Sequence, residues 1–238
     1  MHGQSDSTRM SRMLSNPGSA RACYATLAAT DTFLASRGKS DVWARHARHV
    51  TKPLLMPVLA RALSTATPAR PDGLRRGTLA AQAFSWGGDI ALLGSSERAF
   101  LAGVGSFFGA HVAYIAGFAT RATPSARTWQ ATGLAWAALA PIYAIAAGRK
   151  SPELRLPVAA YAAILLSMFA TSTTLEQSVS PRARRRLVAG TALFLASDTT
   201  LGIREFMTEG ESAKLDTLVM ATYAAGQWLI AEGVAAAP

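Results

Sequence analysis

The stretch Gly103-Val104-Gly105-Ser106-Phe107-Phe108-Gly109-Ala110-His111-Val112-Ala113-Tyr114-Ile115-Ala116-Gly117-Phe118 contains no charged residue. It sits within an apolar run, 98–119, of the ~20 residues that a membrane-spanning helix needs. Gly105, Gly109, Ala113 and Gly117 recur every four residues, so a helix here presents a ridge of small residues that another helix can approach closely. Phe107, His111, Tyr114 and Phe118 lie on a separate stripe, which places His111 and Tyr114 on one face at i, i+3.

Seven further apolar segments surround this one, at 22–36, 52–66, 77–94, 126–147, 154–176, 183–203 and 213–232. Their interiors are rich in Ala, Leu, Gly and Ser and do not alternate, which argues for helices and against a membrane barrel. The expected fold is all-α, a polytopic transmembrane bundle of about eight spans. Residues 1–21 are polar and Ser/Arg-rich and read as a mobile tail, 22–232 as one transmembrane domain, and 233–238 as a short C-terminal tail. Composition agrees, because charged residues reach only 16% of the 238-residue chain, against about 25% in soluble domains. Mean hydropathy is a modest +0.19, which the polar tail, the arginine-bearing loops and the use of alanine in place of leucine explain.

The formal charge of +10 comes from 20 arginines, four lysines and 14 acidic residues. The basic residues fall in short bursts between the apolar segments, at Arg45–Arg48, Arg70–Arg76, Arg149–Arg155 and Arg182–Arg186, and not on one basic face. A nucleic-acid partner is therefore not expected. Counting loop arginines and lysines with the N-terminus cytoplasmic gives thirteen inside and ten outside, so both termini are expected in the cytoplasm and the protein in the cell membrane. A signal peptide is disfavoured because Asp31 interrupts the first apolar run. The lone cysteine, Cys23, has no motif around it and excludes a disulfide framework. There is no Gly-x-Ser-x-Gly elbow, phosphate-binding glycine loop or His-Glu-x-x-His, and the four histidines do not cluster, so no metal or cofactor is expected.

Ionisable groups within spans are costly unless they face a partner or a cavity. Asp31, Lys52, Asp89, His111 and Asp198 are such groups. A shift of 109 residues aligns Asp89 with Asp198, Leu92 with Leu201, Tyr114 with Tyr223 and Gly117 with Gly226, suggesting a 4+4 internal repeat with a site between the halves. Tyr223 and Gln227 share a face of the last span. Plainer readings stand beside these: an aspartate paired with an arginine, His111 as a bonded core histidine, the tyrosines as interfacial anchors. Lys52, just before Pro53, reads as a first-turn residue that either attracts an anion or snorkels to the interface.

Several of these segments resemble the YhhN-like lysoplasmalogenase family. Thr51-Lys52-Pro53-Leu54-Leu55 resembles its Lys-Pro-Leu segment, and Gly88-Asp89-Ile90-Ala91-Leu92 its Gly-Asp-x-x-Leu segment. Phe107-Phe108-Gly109-Ala110-His111-Val112-Ala113-Tyr114 resembles its Phe-x-x-x-His-x-x-Tyr helix, and Ser197-Asp198 and Met220–Gln227 follow in order. Asp31 resembles the aspartate of the family's first span. The likeness covers about residues 25–232 and implies an eight-span membrane hydrolase that cleaves the vinyl ether bond of lysoplasmalogens, with lysophospholipid and membrane lipids as its partners. Asp89 and Asp198 are the implied catalytic pair. Asp31, Lys52, His111, Tyr114, Tyr223 and Gln227 are the expected substrate-binding or supporting residues: the histidine, tyrosines and glutamine to position water or orient the carboxyls, and Lys52, at a helix N-terminus, to hold the head-group phosphate. Vinyl ether hydrolysis needs one protonated and one ionised carboxyl, which two buried aspartates can supply. Which is acid and which is base stays open, as does the oligomeric state. The alternatives are a membrane carrier using the same polar pocket and a soluble helical interaction module.

Overall fold

The computed structural model describes residues 17–38, 40–66, 72–210 and 212–237. Among these residues the chain forms eight α-helices: α1 (Pro17–Ser36), α2 (Val42–Ala66), α3 (Gly73–Ala91), α4 (Glu97–Ala119), α5 (Ala126–Lys150), α6 (Arg155–Thr173), α7 (Pro181–Phe206) and α8 (Ala213–Ala235), with a short 3₁₀ turn at Pro152–Leu154. Consecutive helices pair as antiparallel hairpins, α1/α2, α3/α4, α5/α6 and α7/α8. α8 is the central element and packs on α1, α2, α3 and α7, whereas α5 lies at the periphery against α6 and α7.

Capping follows from local sequence. Asp72, Ser96, Ser125, Ser180 and Ser212 each accept a backbone N–H from the first turn of the helix they precede, satisfying donors that have no intrahelical partner. Asp41 accepts from the Ala44 N–H at 3.0 Å. That bond, with the Arg37 guanidinium beside it, holds the Asp41 carboxyl below its ordinary range.

Polarity runs from outside to inside. α4, α5 and the segment Pro152–Thr173 are long and apolar enough to cross a membrane, and they mark the chain as a membrane protein. Their outer faces expose Leu134, Ile142, Ile145 and Leu156, the last 78% exposed. Such a face suits lipid, and in water would be a large apolar patch. The interior instead buries Asp31, Gln82, Ser85, Asp89, His111 and Gln227.

The expected segments match the helices at their centres and differ at their ends. α2 begins at Val42, ten residues before the expected start at 52, because Arg45, His46, Arg48 and His49 make its first half polar enough to read as a loop. Lys52 is therefore a mid-helix residue and not a first-turn one, and the dipole argument attached to it falls. α1 begins at Pro17, inside the segment read as tail, and α8 runs to Ala235, past residue 232. The rest of that tail, 1–16, lies outside the described residues.

Pro53 and Pro57 lie inside α2. Pro57 has no N–H to offer the carbonyl of Pro53. The indole Nε1 of Trp86, on α3, donates to that carbonyl at 2.9 Å, so the freed backbone acceptor is satisfied by a neighbouring helix.

Two pairs of helices cross backbone to backbone. A Cβ on Gly77 would lie 2.5 Å from Gly117 Cα, and one on Gly190 would lie 2.8 Å from the Gly226 carbonyl oxygen. Gly117 and Gly226 are partners under the 109-residue shift, and each sits at the crossing of its own hairpin. The ridge of α4 is thus used within the bundle at Gly117, and at Gly109, where Phe84 closes in. At Gly105 nothing lies within 4 Å of the Cβ position.

Candidate active site

Both aspartates of the shifted pair reach across to the opposite half of the chain. On α3, Asp89 is 1% exposed; its Oδ2 accepts from the Tyr223 hydroxyl at 2.7 Å. Its Oδ1 faces Lys52 Nζ at 3.5 Å and has no hydrogen bond of its own. On α7, Asp198 Oδ2 accepts from the Tyr161 hydroxyl at 2.6 Å and lies 3.1 Å from His111 Nε2. An ionised carboxylate only accepts, so with Asp198 ionised the ring proton sits on Nε2. His111 Nδ1 lies 3.3 Å from the Met168 sulfur.

The remaining polar residues complete the interior. The Tyr114 hydroxyl donates to Gln227 Oε1, and Gln227 Nε2 donates to Ser85 Oγ at 3.0 Å. Tyr114 and Tyr223 are 0% and 4% exposed, which overturns their reading as interfacial anchors. Lys52, with its side chain 12% exposed and turned to Asp89, is not a snorkelling residue. Asp31 is fully buried and bonds Thr51 Oγ1 at 2.6 Å and Arg48 Nη2 at 3.1 Å.

Phe194 stands between the two carboxyl networks. Its ring packs edge-on against Tyr223 at 5.5 Å and against His111 at 5.0 Å between centroids. It is 0% exposed, so the two aspartates have separate polar partners on either side of one apolar ring.

A cavity of about 770 Å³ unites them. Asp89, Asp198, Lys52 and Tyr223 line it, and residues of three inter-helix turns, including Gly38, Ser95 and Ser151, form its mouth. Those turns lie at the end of the bundle opposite both chain termini. At the terminal end, the loop after α4 and the loop after α6 are tied by the Thr123 N–H to the Thr174 carbonyl at 2.7 Å and the Glu176 N–H to the Arg121 carbonyl at 2.8 Å. A second, apolar groove runs between α4, α5, α6 and α7, lined by Val104, Leu139, Tyr143, Val158, Tyr161 and Leu165. Asp198 lines both spaces. Polar cavity and apolar groove share a wall to which Asp198, Leu92, Phe107 and Leu201 all contribute, an arrangement suited to a molecule with one polar end and one hydrocarbon chain.

Of the sequence candidates, the structure gathers Lys52, Asp89 and Tyr223 in one group, His111 and Asp198 in a second, and Tyr114 and Gln227 in a third; Asp31 stands apart with Arg48. Tyr161 was missed, although it is the lone hydroxyl in the run Ala159-Ala160-Tyr161-Ala162-Ala163. Arg48 was read as a loop charge for the same reason that α2 was shortened. Among the described residues no three His, Cys, Asp or Glu side chains form a group that could hold a metal ion.

Residues 47–234 match the model of the YhhN family. The match takes in most of the chain and both aspartates, and begins after Asp31, which resemblance alone had included. No curated protein and no solved structure matches the chain. The chain belongs to the YhhN family.

Proposed function

We propose that this YhhN-family protein is an integral membrane hydrolase that cleaves the vinyl ether bond of lysoplasmalogens, and that all eight helices cross the cell membrane with both termini in the cytoplasm. One observation carries the reading: Asp89 and Asp198 line one polar cavity, and Asp198 also lines the apolar groove. A lysoplasmalogen has a phosphorylated head and a single alkenyl chain. With the head in the cavity and the chain in the groove, the bond joining them lies at the Asp198 carboxyl.

The chemistry needs little else. A carboxylic acid protonates the β-carbon of the vinyl ether, leaving an oxocarbenium ion. Water adds to the cationic carbon and gives up a proton to the second carboxylate, and the hemiacetal collapses to fatty aldehyde and glycerophospho-alcohol. Atoms balance with one water consumed. The Tyr161 hydroxyl and His111 hold Asp198 in place, and Lys52 and Tyr223 hold Asp89.

The test is aldehyde release from a lysoplasmalogen by protein purified in detergent. Wild type should turn over, and Asp89→Asn and Asp198→Asn should each lose about a hundredfold or more while eluting normally on size exclusion. Unchanged turnover in either variant would sink the mechanism. No aldehyde from wild type would favour the carrier reading, since hydrolysis in micelles needs no gradient.

A further inference from the structure

Ten charged residues line the polar cavity, and eight of them have partners of their own. Lys52 faces Asp89, Arg48 bonds Asp31, Arg204 pairs with Asp216, Lys150 pairs with Glu205 at 3.1 Å, and Asp198 is held by His111 and Tyr161. The two left without an ionic or hydrogen-bonded side-chain partner among the described residues are Arg45, on α2, and Glu97, at the start of α4. One is a cation and the other an anion, and both are exposed to the cavity mouth.

Arg45 is also badly placed for its own helix. It is the fourth residue of α2, where a positive charge opposes the helix dipole. One turn on, His49 lines the same wall, with its Nδ1 2.9 Å from the Arg45 carbonyl. An anion at this wall would offset the unfavourable dipole term. Glu97, by contrast, suits the first turn of α4, so its helix alone explains its presence, and the experiment must separate that role from recognition.

Lys52, expected from the sequence as the phosphate contact, is occupied by Asp89, and among the described residues that line the cavity the unpaired cation is Arg45. We propose that Arg45 and Glu97 read the two charges of a zwitterionic phospholipid head, Arg45 taking the phosphate and Glu97 the amine. This rests on the lysolipid reading of the cavity but not on the bond that is cleaved. Arg45 lies two residues before the segment matching the family.

Binding of three non-hydrolysable probes in non-ionic detergent tests it: a 1-O-alkyl lysophosphatidylethanolamine, the corresponding alkyl lysophosphatidic acid, and the alkylglycerol without phosphate. Arg45→Gln should weaken the first two by about tenfold, the loss of one charge-assisted hydrogen bond, and leave the alkylglycerol unchanged. Glu97→Gln should weaken only the ethanolamine probe. Arg45→Lys, which keeps the charge, should hold the wild-type order. Arg45→Gln or Glu97→Gln binding all three probes like wild type would overturn the proposal, as would a wild type that binds the three alike. A Glu97 variant that merely loosens α4 would weaken all three together, which also counts against it. Failure of vinyl ether hydrolysis with this binding pattern intact would count against the proposed reaction alone.

Discussion

Asp198 accepts two hydrogen bonds on one carboxyl oxygen, from Tyr161 and toward His111. That doubling separates the roles of its neighbours. Tyr161→Phe removes the shorter bond and keeps the ring in the groove, so turnover should fall by about tenfold while KM stays near wild type. A raised KM with unchanged kcat would show that the hydroxyl serves binding and not the carboxyl. The two aspartates were legible in the sequence because a charge in an apolar segment is expensive and stands out. His111 and Tyr223 were named beside them, but which aspartate each would meet was not legible, since Tyr223 lies 134 residues from Asp89 and His111 lies 87 from Asp198. Helical spacing identifies residues that share a face. It says nothing about which distant face they meet, and Tyr161 looked like one more aromatic in a greasy span.

The element misread furthest is α2, and it is the helix that carries Lys52 to the site. Apolar length located the other helices, but α2 is polar along its first half and holds two prolines. Its continuity through Pro57 depends on the Trp86 indole, which binds the Pro53 carbonyl. Trp86→Phe should therefore destabilise the protein by about 1–2 kcal/mol, read as a lower Tm in detergent. Pro57→Ala supplies a backbone donor to the same carbonyl, so in the double variant the penalty should shrink. Strict additivity of the two changes would show that the indole bond is not what holds this turn. The glycine crossings were half legible: the ridge of α4 was visible as a repeat of small residues, while its partner, Gly77, sat among arginines at the start of α3.

At the scale of the whole molecule, the cavity mouth and the chain termini lie at opposite ends of the bundle. The ten basic residues assigned by sequence to the non-terminal side include Arg45, Arg48, Lys150 and Arg204, all of which line the cavity. If those four serve the cavity, six basic residues on that side remain against thirteen on the terminal side, so the count carries more weight for orientation than thirteen against ten suggests. Single-cysteine labelling can read this directly, because Cys23 is the chain's one thiol. In a Cys23→Ser background, Ser95→Cys should react with a membrane-impermeant maleimide on intact cells, and Thr123→Cys only after permeabilisation. The reverse pattern would place the mouth in the cytoplasm. For the proposed hydrolysis, the wall shared by polar cavity and apolar groove, to which Asp198 contributes, bears on how products would leave. Cleaving the bond at that boundary cuts the substrate into a half that dissolves in water and a half that dissolves in oil. Each fragment would then lie against its own solvent, so the two would depart by different doors and neither would have to pass the other on the way out.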